Sequence, residues 1–309
     1  MRAVRSTGDG VGVVSAHPSG DGVRVAVASS SICGTDLHLI GFGPSAVTLG
    51  HEFSGRLDDG TPVAVLPRVA CGRCERCRAG QEHQCPSAFG SMYGISLDGG
   101  LADEAWVVPA CAKVLPDRVP VEDACLVEPL AVAVHGIHRA GVTAGSRVLV
   151  VGGGPIGLCA VAVVRSLGAD VDLLARHQSR IEAGERLGAG TAPGDGYDVV
   201  LEAAGTQQAV DTAIERCRPG GTVGVLSTFW EPVRLGVGFQ IKEVTLVPAF
   251  TYGHHHGGCE FEEAAAILGR HPDLPGAVIT HHFPLEDATE AFRLAADRDS
   301  GAIKVALHP

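Results

Sequence analysis

Residues 148–176, VLVVGGGPIGLCAVAVVRSLGADVDLLAR, leave little freedom in the choice of fold. An unbroken apolar run of strand length meets three glycines, continues as an apolar stretch of helix length, and is followed by a second apolar run. This is the grammar of a βαβ unit, and a strand apolar on both faces belongs to a parallel sheet covered on both sides. Gly152, Gly154 and Gly157 stand as G-x-G-x-x-G, with Ile156 inside the motif, where strand turns into helix. Glycines here permit the turn, the close approach of a pyrophosphate and the packing of helix on strand, while the helix N-terminus faces the anion. The runs at 198–205 and 220–228, DVVLEAAG and GGTVGVLST, continue the alternation of a doubly wound α/β sheet.

The end of the second strand bears on which dinucleotide fits. An acid there hydrogen-bonds the adenosine ribose hydroxyls and repels a 2′-phosphate, whereas basic residues accept that phosphate. The strand runs out at Arg176, with His177, Ser179 and Arg180 just beyond. Arg176 and Arg180 favour NADP over NAD. Asp172, inside the strand, is the ribose acid of the alternative NAD-binding register.

Upstream the texture differs. The first ~125 residues are short β-type runs, such as Val23 to Ala28 and Thr61 to Leu66, between turns rich in Gly and Pro. The chain has 309 residues, enough for two domains. Its 42 glycines are about twice ordinary usage, as many tight turns require. A net charge of −11 disfavours nucleic acid as a partner. The start, MRAVRSTGDG, lacks the apolar run of a signal peptide, and the apolar helix at 155–164 is half a membrane span, so a cytoplasmic protein without a membrane partner is expected.

Of ten cysteines, Cys71, Cys74, Cys77 and Cys85 stand as C-x2-C-x2-C-x7-C. In a reducing compartment such clustering argues for metal over disulfides. Four thiolates close a tetrahedron around Zn2+ and leave no open position, so this zinc is structural. Arg73, Arg76 and Arg78 partly offset the net −2 of a Zn(Cys)4 centre.

Three further motifs, CGTDLH (33–38), GHE (50–52) and LVEPL (126–130), precede the glycine loop. With the four-cysteine lobe, and with FPLEDATEAF and GAIKVALHP at the end, they make the chain resemble the zinc-dependent medium-chain alcohol dehydrogenase family. The polyol and threonine dehydrogenase branch is the nearest likeness. The resemblance implies a GroES-like β-rich catalytic domain (residues 1–128 and 250–309, with the structural zinc lobe at about 71–85) and a Rossmann dinucleotide-binding domain at 129–249.

It further implies a catalytic zinc, the second per chain, held by Cys33, His51 and Glu128, with Glu52 as an alternative ligand. A thiolate, an imidazole and a carboxylate are ordinary zinc ligands, and three of them leave a position open for substrate. Asp36 would hydrogen-bond His51 and set its tautomer. Thr35 would meet the substrate oxygen and His38 would end a proton relay.

The implied activity is hydride transfer between a secondary alcohol, polyol or amino alcohol, or its ketone, and NADP(H). The same chemistry with NAD(H) is one alternative. A catalytically silent NADP-binding protein, sensing redox state or serving a structural role, is another, and the full set Cys33, Thr35, His38, His51 and Glu128 argues against it.

The resemblance implies a homodimer or homotetramer, with Val244 to Phe250 as candidate interface strand. Phe42, Met92, Tyr93 and Trp106 are candidates to line the substrate pocket or to fill the core, and the turns at 41–48 and 191–197 are compact. The run His254, His255, His256 reads as a loop without metal, and His281 and His282 as strand-end surface.

Overall fold

A computed structural model describes every residue except Asp9, Pro18, Ser19 and Asp21. Two compact units emerge: Met1–Glu128 with His256–Arg270 and Ile279–Pro309, and Pro129–His255 with His271–Val278.

The second unit is built on a wholly parallel five-stranded sheet. Its spatial order is Asp170–Leu174, Arg147–Val151, Tyr197–Glu202, Cys217–Val225 and Thr245–Pro248. The apolar run of the second of these is buried on both faces, as its composition demands. Leu149 and Val151 pack against Ala209, Val210, Ala213 and Ile214 of the helix Gln207–Arg216, whereas Val150 faces Gly157 of the helix Pro155–Ser166. Pro155 occupies the first turn of that helix, where a missing N–H costs nothing.

A doubly wound sheet of this order usually carries a further strand outside Asp170–Leu174. Here one residue stands in its place. Gly190 accepts from the N–H of Leu173 (2.8 Å) and donates its own N–H to Val171 (2.9 Å), while Tyr197 Oη donates to Asp172 Oδ2 at 2.6 Å. The compact turn at 191–197 follows from this shortening. The segment His271–Val278, expected in the first domain, lies in this unit and carries a short helix, Leu274–Val278. Leu274, Ala277 and Val278 are buried, and the helix packs on Pro155–Ser166 and Gln178–Arg186.

The first unit centres on a seven-stranded sheet. Ile279–Pro284, Lys304–His308, Val23–Ser31, Glu52–Arg56, Pro62–Val65 and Ala112–Val114 lie side by side, and Glu104–Val107 also pairs with Val23–Ser31. Alternate residues of these strands, Val25, Val27, Val63, Val65, Ala105 and Val107, join Phe53 in one core. Tyr93 belongs to that core, with Oη accepting the Val108 N–H at 2.8 Å. Trp106 lies opposite Arg24 in the Val23–Ser31 pairing, and Phe42 is 81% exposed. Among the described residues no helix is long and apolar enough to cross a membrane.

Candidate active site and metal centres

The cysteine lobe is made by turns. Cys74 caps the helix Glu75–Arg78 by accepting the N–H of Cys77 on its sulfur (3.5 Å), and Cys85 accepts the N–H of Cys71 (3.5 Å). All four sulfurs lie within 4.8 Å of one another, with Cys74 to Cys77 at 3.5 Å and Cys71 to Cys77 at 3.9 Å. A zinc tetrahedron with Zn–S bonds of ~2.3 Å has edges of about 3.8 Å, so the lobe fits the ion. The backbone N–H of Cys71 pulls the Cys85 thiol down to about 6, while burial pushes Cys77 up to about 12. Four sulfurs in contact cannot all carry charge until a cation joins them.

A second donor group gathers Cys33, His51 and Glu52, whose ligand atoms lie within 4.8 Å of one another. Cys33 is the residue before the helix Gly34–Ile40. Asp36, in the first turn, reaches back so that its Oδ2 accepts the Cys33 N–H at 2.9 Å. The other carboxylate oxygen faces His51 Nδ1 at 3.3 Å, with both side chains almost wholly buried.

One residue therefore bonds the helix start and lies against the imidazole. Burial disfavours a charged ring, but the Asp36 carboxylate and the Cys33 sulfur outweigh it and raise the His51 pKa well above its ordinary value. A pocket with this donor set and this demand for positive charge suits a divalent ion.

Glu52 is itself held. Its carboxylate accepts from Lys304 Nζ at 2.8 and 2.7 Å and from the Ser31 hydroxyl, and Lys304 also donates to the Ile32 carbonyl at 3.1 Å. Glu128 is 6% exposed in the first turn of the helix Val127–Arg139 and is not part of the Cys33–His51–Glu52 group.

Thr35 is half-buried and His38 exposed on the Cys33-led helix. The His38 Nδ1 meets the Gly34 carbonyl at 2.7 Å. A carbonyl can only accept, so Nδ1 carries a proton, and in the neutral ring Nε2 keeps the lone pair.

In the glycine loop each residue has its reason. Gly152 has φ +117°, and a Cβ on Gly157 would lie 1.8 Å from the Gly152 oxygen. Gly154, before the first turn of the Pro155–Ser166 helix, would point a Cβ into open space, which leaves room for a phosphate at the helix N-terminus. Ile156 lies half-buried in that first turn. Arg176 is exposed just past the strand Asp170–Leu174, and Arg180 lies in the first turn of the helix Gln178–Arg186. Asp172 is spent on Tyr197.

Sequence reasoning missed three residues. Gly153 must be glycine because a Cβ would sit 2.7 Å from Ala175 and 2.9 Å from Arg180. Lys304 is separated from Glu52 by 252 positions, and its only sequence signal was an isolated lysine in the otherwise apolar closing segment. Glu202 ends an apolar strand with a buried acid. Elsewhere, His254 and His255 form a short exposed strand, and His255 stacks on His138 with ring centroids 4.1 Å apart. His282 hydrogen-bonds His308 at 2.9 Å.

Comparison with known proteins places this architecture. The alcohol dehydrogenase GroES-like domain matches residues 19–117. L-threonine 3-dehydrogenase of Bacillus licheniformis is 30% identical across 93% of this chain and 91% of its own length. Galactitol-1-phosphate dehydrogenase from Escherichia coli has a solved structure that matches with a TM-score of 0.89 at 28% identity, covering 100% of both chains. A zinc-binding dehydrogenase from Sinorhizobium meliloti 1021 bound to NADP matches with a TM-score of 0.87 at 28% identity, covering 100% of this chain and 99% of that one. Likeness of this degree, sustained along nearly the whole length in both sequence and fold, makes the chain an oxidoreductase belonging to the zinc-dependent medium-chain alcohol dehydrogenase family.

Proposed function

We propose that this enzyme moves hydride between a secondary alcohol, polyol or amino alcohol, or the corresponding ketone, and NADP(H), with one catalytic and one structural zinc per chain. The reading is carried by the Cys33–His51–Glu52 group, which presents a thiolate, an imidazole and a carboxylate within 4.8 Å of one another. Zinc bound there supplies a Lewis acid that lowers the pKa of a carbinol oxygen, and the nicotinamide supplies the hydride acceptor.

The chain's own residues do the rest. Asp36, 3.3 Å from His51 Nδ1, orients the ring for the ion. Glu52, with Glu128 as the other candidate, completes the ligand set. Thr35 takes the substrate hydroxyl proton, and His38, its Nδ1 tied to Gly34, offers Nε2 as the basic end of the relay. Arg176 and Arg180 accept the 2′-phosphate, and Gly152, Gly154, Ile156 and Gly157 form the pyrophosphate turn. The relatives' names, a threonine and a galactitol phosphate dehydrogenase, support small hydroxylated substrates.

The test is metal analysis together with a screen of secondary alcohols, polyols and ketones read by nicotinamide absorbance. Two zincs per chain, turnover with NADP(H), and loss of the NADP preference in Arg176→Asp are expected. One zinc and no turnover overturn the enzyme reading in favour of a silent binding protein. Equal or better binding of NAD by the parent overturns the choice of NADP.

A further inference from the structure

Glu202 lies wholly buried at the last position of Tyr197–Glu202, the strand beside Arg147–Val151. Burying a carboxylate is costly unless it is hydrogen-bonded, and an apolar residue would fill the space at no such cost. Here one oxygen, Oε1, accepts the backbone N–H groups of Ala204 (2.8 Å) and Gly205 (2.7 Å). The other accepts the hydroxyl of Ser227, which follows the strand Cys217–Val225. The acid therefore ties the loop beyond its own strand to the loop beyond the next.

A third loop joins them. A Cβ on Gly152, the first glycine of the pyrophosphate turn, would lie 3.0 Å from the carbonyl carbon of Ala203 and 3.0 Å from the nitrogen of Ala204. Ala203 donates its N–H to the Val151 carbonyl at 2.9 Å. On the far side, a Cβ on Gly205, at φ +69°, would lie 3.0 Å from the Thr228 oxygen. At the carboxyl ends of three adjacent parallel strands, one carboxylate thus ties two loops directly, and the third, the pyrophosphate turn, lies against one that it holds. The three meet where strand order reverses and a dinucleotide passes from its adenosine half to its nicotinamide half.

We infer that Glu202 is a positioning residue for the nicotinamide half of the cofactor: it holds Ala203–Gly205 and Ser227–Thr228 against the pyrophosphate turn without touching the reacting atoms. The inference rests on the reading of this unit as a dinucleotide site. The adenosine half, served by Arg176 and Arg180, is independent of it.

The experiment compares Glu202→Gln and Ser227→Ala with the parent by calorimetric titration. The probes are NADPH, NADH and the adenosine half-molecules adenosine 2′,5′-bisphosphate and AMP, with melting temperature recorded for each protein. Gln keeps the shape and replaces charge-assisted bonds by neutral ones of about half the strength. NADPH affinity should fall about ten-fold in Glu202→Gln and less in Ser227→Ala, while half-molecule affinity stays within about two-fold of the parent.

Unchanged NADPH binding by both variants overturns the inference. So does an equal loss for whole cofactor and half-molecule, which marks a residue that merely supports the fold. A parent that binds none of the four probes overturns the dinucleotide reading itself, a result separate from either.

Discussion

Replacing Lys304 by Met tests the architecture of the buried charge cluster. The Lys304 ammonium and the Glu52 carboxylate are 3% and 1% exposed and bond through both carboxylate oxygens. Met preserves most of the apolar stem and removes the charge. The carboxylate then keeps only the Ser31 hydroxyl of these partners, and a buried pair broken on one side costs about 3–5 kcal/mol.

For a unit of this size each kcal/mol moves the midpoint by about 2–4 °C, so the metal-free variant should melt about 6–20 °C below the parent in a calorimetric or circular-dichroism scan. Glu52→Gln in the same chain removes the stranded charge and should recover at least half of the loss. Zinc should also narrow the gap, because an ion beside Cys33 and His51 supplies the positive charge that the lysine supplied. A single variant melting within about 2 °C of the parent, or a double variant no better than the single, refutes the reasoning.

Two glycines of the pyrophosphate turn should part company. Gly154→Ala meets no atom within 4 Å, so its melting point should match the parent's while dinucleotide affinity falls at least about ten-fold; Gly157→Ala drives a methyl onto the Gly152 oxygen and should destabilise the fold itself. Loss of stability in the first, or a neutral second, contradicts the assigned geometry. At the surface, burial would raise the Asp103 carboxyl, but the Arg2 guanidinium and backbone N–H outweigh it and hold its pKa below the ordinary value. A depressed acid stabilises the fold above its unfolded value of ~3.9, and that contribution is lost as pH falls through the folded value. Asp103→Asn should therefore lower stability by at most about 1 kcal/mol at pH 7, with the gap closing below about pH 4 in pH-resolved denaturant titrations; a gap independent of pH speaks against it.

What could be read before any coordinates was whatever sits close together along the chain. The C-x2-C-x2-C-x7-C spacing brings its sulfurs together because two short turns separate them, and Asp36 reaches the Cys33 N–H because the two residues share one helix start. The pattern at 148–176 encodes its own burial, since a strand without a polar face has no exposed side to present. Lys304 escaped because its partner is met only when the last strand pairs beside Val23–Ser31. Tyr93, weighed as pocket or core, could be assigned only once Val108 was seen to offer its N–H. The helix Leu274–Val278 leaves no trace in the sequence because five residues are too few for a periodic signal, and its docking partner alone decides where it belongs.

The lone bridge at Gly190 has a consequence for assembly. Residues on the rim of a sheet offer unused backbone groups to any passing strand, yet here a single glycine occupies the middle of that rim and draws the Asp172 side chain, latched by Tyr197, over it. A foreign strand cannot zip along a margin that is already stoppered halfway. The opposite border of the five-stranded sheet, at Thr245–Pro248, has no such stopper among the described residues.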